Sequence, residues 1–394
     1  MKILKNITVF TMVMLLTVST VLEAREKNIS NFSSSASNLV DSTGTFDGNK
    51  IYADVANNGL FLDFHVSGDS ALEWPKGTGV HSIFQSALWM GATVNGSIRT
   101  IVGDYTQDMG PGPWGGDPLA AVHRIYKVEK SMLASPLDFA DFQEWPVEFG
   151  APWVDVDGDG VYTPLPGGTD HPEFLGDQVL WFVSNDGDPA YKLNFGTSPM
   201  NVEIQTTMFG FDRPDVFGDM VFLKQLVINK GSDDLVDTYM GLWSDPDLGY
   251  AGDDFVGCDV ALGMGYVWND GDDSQYSTLD IGTPAAGYDF FQGPMVPCED
   301  GDSEEVCPTE GAKMFGTRHP GMKNLKMSSF AFYINGDATY TDPSDETEGY
   351  FYLQGLRKDG SAYPAEIAGD LYDQRFCFYG DPNDSAGHST ANPV

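Results

Sequence analysis

Apolar residues fall in short runs broken by glycine, aspartate, asparagine and proline, and a sustained repeat every three to four residues is almost absent. That pattern predicts strands and turns rather than amphipathic helices. Strands are expected at residues 178–184, 202–209, 220–229, 238–243, 260–268 and 327–334. Runs such as Met220-Val221-Phe222-Leu223 are apolar at consecutive positions, as strands covered on both faces are. Asn95-Gly96 separates Ala92-Thr93-Val94 from the run Ser97 to Val102, and this dipeptide supplies the two positive φ angles of a type I′ turn, so a hairpin is predicted there. The helical candidates are residues 138–144 and residues 118–130, the latter reading equally well as a strand through 125–128. No internal repeat of fixed period stands out. The expected class is all-β with antiparallel β-sandwich architecture, as one large or two adjoining sandwich domains with long acidic loops.

The N-terminus follows a different rule. Lys2 and Lys5 precede a mostly apolar run from Ile7 to Leu22, and Leu22-Glu23-Ala24 offers a cleavage point, the pattern of a secretory signal peptide over residues 1–24. Thr8, Thr11, Thr17, Ser19 and Thr20 interrupt the run, which falls short of the ~20 apolar residues of a spanning helix, so no integral span is expected after cleavage. No cysteine lies nearby to carry a lipid. Residues 25–45 read as a disordered polar leader. A soft boundary near Gly150 separates an N-terminal β-rich region, 46–149, from a β-sandwich region with calcium-type loops, 150–394. Just before it, Trp114 stands in the loop Gly110-Pro111-Gly112-Pro113-Trp114-Gly115-Gly116, where it is either a local packing plug or a platform for a sugar ring.

Charge sharpens the picture. Lys and Arg total 21 against 58 acids, a net charge of −37, and 43 of the acids are aspartate. Aspartate prefers turns and metal loops to helix or strand interiors, so the excess points to many acidic loops. High net charge also confers solubility in a salty medium. Nucleic acid and anionic membrane surfaces need clustered basic residues, which the chain lacks. The four cysteines, Cys258, Cys298, Cys307 and Cys377, would meet an oxidising environment after export. Cys298 and Cys307 flank a self-repelling acidic loop that a short bridge would tie down, which favours Cys298–Cys307 and leaves Cys258–Cys377 as the second pair. Free buried thiols are the alternative.

The strongest motif is Asp155-Val156-Asp157-Gly158-Asp159-Gly160-Val161-Tyr162. Carboxylates at alternate positions, with glycines allowing a sharp bend, let a short loop wrap oxygens around one hard cation, and calcium is the predicted cofactor. Val161 would add its backbone carbonyl. The twelfth position is Pro166 rather than a bidentate glutamate, so Asp170 or Glu173 is expected to close the shell; a plain Asp/Gly turn is the competing reading. A second acidic group, Asp245, Asp247, Asp253 and Asp254, follows the apolar run ending at Trp243 and reads as calcium ligands, as a catalytic carboxylate pair or as a solvated loop. No nucleophile elbow, phosphate loop, zinc helix or dinucleotide fingerprint occurs, and the six histidines are scattered.

The run Gly150-Ala151-Pro152-Trp153-Val154-Asp155-Val156-Asp157-Gly158-Asp159-Gly160-Val161-Tyr162-Thr163-Pro164 resembles a family of large secreted proteins of Bacteroidetes-type and related marine bacteria. The likeness continues through Trp243-Ser244-Asp245-Pro246-Asp247-Leu248-Gly249, Gly257-Cys258-Asp259 and Gly287-Tyr288-Asp289-Phe290. It covers most of the chain from about residue 50 onward. The resemblance implies an extracellular or cell-surface location reached through the periplasm. Members usually continue into further β-sandwich modules and a sorting domain for type IX secretion. Here the sequence stops at Asn392-Pro393-Val394 without one, which reads as a truncated product.

The functional expectation is therefore a secreted or surface-displayed, calcium-stabilised β-sandwich protein with a structural, adhesive or glycan-contact role, partnered by an extracellular glycan or matrix. The alternative is an extracellular hydrolase acting on polysaccharide through carboxylates among Glu203, Asp245, Asp247, Asp253 and Asp254. Such chemistry needs two carboxyl groups ~5–9.5 Å apart across an open cleft. Composition and spacing leave the oligomeric state open.

Overall fold

A computed structural model describes residues 43–165, 170–368 and 375–381, together with the backbone of 11–17. Strand makes up 34% of it and helix 13%, mostly as antiparallel sheets, so the chain is all-β as expected. Two compact units divide it discontinuously: residues 25–87 with 101–232 form one, and 1–24, 88–100 and 233–394 form the other. Gly150 lies inside the first of these, and within the described residues the chain changes unit at 87–88, 100–101 and 232–233.

In the first of these units the strands run Tyr126–Glu129, Gln178–Asn185, Val202–Gly210 and Phe222–Asn229 in spatial order, with Gly110–Pro111 pairing the end of Gln178–Asn185. All eight residues of Gln178–Asn185 are buried, which explains its continuous apolar sequence. Phe222–Asn229 is instead the edge strand and is only half-buried, so its apolar run does not mark an interior strand. Beneath Tyr126–Glu129 and Gln178–Asn185 lies a core of Tyr126, Val128, Phe142, Trp145, Val179 and Trp181. Residues 118–130 resolve into a 3-10 turn at Ala121–His123 and the strand Tyr126–Glu129, and 138–144 keeps one helical turn at Ala140–Gln143. A second sheet joins Thr43–Phe46, Tyr52–Ala56, Leu72–Glu73 and His81–Ile83, so ordered structure begins within the predicted leader; residues 25–42 lie outside the described residues.

In the other unit the predicted hairpin is present: Gln85–Val94 and Ser97–Ile101 pair across Asn95 (φ 51°) and Gly96 (φ 80°). Next to its Leu88–Val94 portion lies Val236–Asp245, and then Thr11–Thr17 and Ser329–Tyr333. Thr11–Thr17, from the middle of the predicted signal peptide, pairs in parallel with both neighbours. The run 260–268 is not one strand. It breaks at a turn in which Gly263 takes φ 73° and Asp259 accepts hydrogen bonds from Leu262 and Gly263, leaving the hairpin Phe255–Asp259 and Met264–Trp268. Among the described residues no helix is long and apolar enough to cross a membrane.

Cys298 and Cys307 form the predicted disulfide, with Cα atoms 5.9 Å apart. Cys258 and Cys377 do not; both are free thiols with no exposure. Bridges Cys258 to Tyr379 and Phe330 to Phe376 thread the segment 375–381 along two strands, and the Cys258 thiol donates to the Cys377 carbonyl at 3.4 Å instead of meeting its sulfur. Burial pushes both thiols well above their usual range, so they are poor nucleophiles. Mass analysis of native protein should find one disulfide and two thiols that alkylate only after unfolding. Two disulfides, or fast alkylation of folded protein, would contradict this arrangement.

The core also buries an ion cluster: Lys192 Nζ lies 2.9 Å from Asp108 and 3.9 Å from Asp186, with all three side chains at 2% exposure or less. Burial pushes the Asp108 carboxyl up to about 6 from 3.8, against the opposing charge of Lys192. A folded-state value above the unfolded one means that the folded protein holds the proton more tightly. The favourable contribution is complete below about pH 4 and declines by about 1.4 kcal/mol per pH unit toward pH 6. Denaturant melts should show Asp108→Asn gaining on wild type between pH 4 and 6 and running parallel to it above. A gap independent of pH would mean that Asp108 is ionised throughout.

Candidate metal centre

The loop that carries Asp155 is built on a short ladder. Trp153 pairs with Pro172 and Val154 with His171, so residues 155 and 170 emerge side by side from its open end. Trp153 and Tyr162, on either side of the acidic run, pack onto the aromatic core, and the Tyr162 hydroxyl donates to the Phe142 carbonyl at 2.6 Å. Between these anchors Gly158 (φ 78°) and Gly160 (φ 76°) take left-handed backbone that aspartate or valine would adopt only with strain.

The carboxylates organise the turn. Asp155 accepts from the N–H groups of Gly158 (2.7 Å) and Gly160 (2.9 Å), Asp157 from Asp159 (3.2 Å), and Asp159 from Val161 (2.7 Å). Asp170 is buried at 1% exposure and clamps both ends of the loop, one oxygen accepting from Val156 (2.9 Å) and the other from Thr163 (2.8 Å). One oxygen each from Asp155, Asp157, Asp159 and Asp170 lies within 4.8 Å of the others, so these four could hold a metal ion. Each oxygen keeps a lone pair beyond its backbone bond, and an all-carboxylate set suits a hard cation.

Asp170 thus takes the closing role for which the sequence offered two candidates. Glu173 does not join; its carboxylate lies 3.7 Å from Lys224 Nζ. Val161 is exposed, and its carbonyl accepts from Thr163 Oγ1 at 3.4 Å. Pro166, the twelfth position, is outside the described residues.

Asp245, Asp247, Asp253 and Asp254 belong to the other unit and do not share this group. Asp245, Asp247 and Asp254 are buried at 2–3% exposure, so this bend is not a solvated loop. Asp273, which sequence reading passed over, is fully buried against the same bend and accepts from Tyr250 at 2.8 Å. Its signal lay only in the acidic stretch Asp270-Gly271-Asp272-Asp273, with nothing to link it to residues 245–254.

Glu203, a carboxylate of the hydrolase alternative, is held by three partners: Trp114 N–H at 2.9 Å, Gln205 Nε2 at 3.0 Å and Lys230 Nζ at 3.1 Å. It fastens the Gly110–Gly116 loop. Trp114 in turn donates to Asn201 at 3.1 Å and covers Gly187, which is a packing role, although its ring remains 44% exposed.

The two kinds of carboxylate should separate in chelator. Asp170→Ala leaves two backbone donors without their acceptor and should cost about 1–3 kcal/mol in a denaturant melt with no divalent ion present. Asp157→Ala should leave that melt nearly unchanged and lose calcium response instead. Equal effects in chelator would mean that Asp170 is not the clamp.

No protein-family model, curated protein or solved structure matches the chain, so the four-carboxylate loop has to be read from its own chemistry.

Proposed function

We propose that this chain is an exported, calcium-stabilised β protein that serves a structural, adhesive or glycan-contact role outside the cytoplasm. The observation that carries the reading is the convergence of Asp155, Asp157, Asp159 and Asp170 on one point. Three carboxylates within five residues repel one another on a chain already at −37, and a divalent ion relieves that repulsion. Calcium fits better than magnesium, whose strict octahedral shell tolerates an irregular loop poorly.

Export is supported by the charged and apolar pattern of residues 2–24, whose cleavage would remove the strand Thr11–Thr17 from its sheet, by the Cys298–Cys307 bridge, which belongs to an oxidising compartment, and by the resemblance to secreted bacterial proteins. A contact role is supported by a polar cleft of about 490 Å3 lined by Asp47, Lys76, Glu129, Lys130, Asp177 and Asp212. Its donors and acceptors suit a hydroxyl-rich ligand. The hydrolase alternative is weakened because Glu203 is fully engaged by Trp114, Gln205 and Lys230.

Thermal melts test the reading. An ion that binds only the folded state at 100 times its dissociation constant adds about 2.7 kcal/mol, which for a unit of this size is roughly 5–10 °C in Tm. Wild type should gain this in millimolar calcium and Asp157→Ala should lose most of it, whereas the exposed-loop control Asp188→Ala should behave as wild type. Superimposable wild-type curves in chelator and calcium would reduce the loop to a turn.

A further inference from the structure

The bend after strand Val236–Asp245 folds its carboxylates inward. Asp245, Asp247, Asp254 and Asp273 are exposed by 2%, 3%, 3% and 0%, a concentration of buried acid that an interior tolerates only with compensation. Part of the compensation is visible. Asp273 accepts from the N–H groups of Gln275 (2.8 Å), Tyr276 (2.7 Å) and Tyr250 (2.8 Å), and one oxygen of Asp254 accepts from Leu248 (2.9 Å). The other oxygen of Asp254, Oδ1, is buried and receives no hydrogen bond. Burial raises the energy of its charged form, and the charges of Asp247, Asp253 and Asp273 add to that cost.

The backbone around it is drawn in tightly. Gly249 takes φ 73°, and a side chain there would collide with the Asp273 carboxylate, so the bend closes tightly over that acid. Gln275 Nε2 pins the Gly249 carbonyl at 2.9 Å.

We propose that this bend is a second divalent-cation site, in which Asp254 Oδ1 and Asp247 supply the buried carboxylate ligands and Asp253 completes the shell from its more exposed side. Asp273 is a positioning residue: two backbone donors already fill its Oδ1, and its Oδ2 ties the Tyr250 N–H into the bend. An all-oxygen set of this charge selects calcium over softer metals. No three ligand oxygens here lie within 4.8 Å of one another, as those of the Asp155 loop do, so binding must draw Asp247 and Asp253 toward Asp254. The site therefore orders the bend as it fills, and it does so independently of the Asp155 loop.

Calorimetric titration of the full chain with calcium separates the two sites. Wild type should bind two ions. Asp157→Ala/Asp159→Ala should retain one, and adding Asp254→Asn should abolish it by weakening binding at least 100-fold. The asparagine keeps an acceptor for Leu248 while removing the charge, and a melt in chelator no lower than wild type verifies the fold; if it is lower, Asp247→Asn serves in its place. A loop double variant that binds no calcium overturns the second site, as does unchanged binding in both asparagine variants. Loss of one ion in Asp254→Asn with none lost in the loop variant would sustain this site and sink the Asp155 loop.

Discussion

Repulsion among carboxylates, on a chain with 58 acids and 21 bases, is the constraint around which the fold is arranged. Ion pairing cannot relieve it, because the bases are too few. The protein instead points backbone N–H groups at its aspartates. Asp155 and Asp170 each take two, Asp186 takes those of Met200 and Val202, Asp273 takes three, and Asp345 caps the helix Glu346–Leu353 through Thr347 and Glu348. A carboxylate that accepts two or three such bonds is stabilised in its charged form, and it fixes a turn at the same time. Aspartate rather than glutamate dominates because its short side chain reaches the backbone two or three residues ahead.

This local habit explains which parts of the fold could be read in advance. The hairpin at Asn95-Gly96 was legible because a two-residue turn dictates its own geometry, and Gln178–Asn185 because complete burial writes itself as an unbroken apolar run. The apolar run at Phe222–Asn229 looks the same in sequence, yet it is an edge strand. Position in a sheet depends on partners that come from elsewhere in the chain. The break in 260–268 hid behind ordinary strand residues, since only Gly263 and the carboxylate of Asp259 mark it. The discontinuous units could not be seen in composition, because residues 88–100 join a unit whose other parts lie beyond residue 232 or before residue 25.

The site was half legible for the same reason. Spacing alone picked out Asp155, Asp157 and Asp159, while the choice of Asp170 over Glu173 rested on a two-rung ladder that sets 170 opposite 155. Glu173, three residues on, is turned toward Lys224. The free thiols show the opposite limit. Cys258 and Cys377 do become neighbours, but the path of the segment 375–381 sets a thiol against a carbonyl, an outcome of tertiary geometry that no count of cysteines contains.

Trp153 and Tyr162 flank the acidic loop, and their rings meet edge to face at 5.6 Å, interplanar angle 86°. Both are anchored on the core, whereas the eight residues between them carry the charge. The two ends of the acidic segment are therefore held together by packed rings whether or not its carboxylates are neutralised, so the entropy of bringing those ends together is met by the aromatic core and not by an ion.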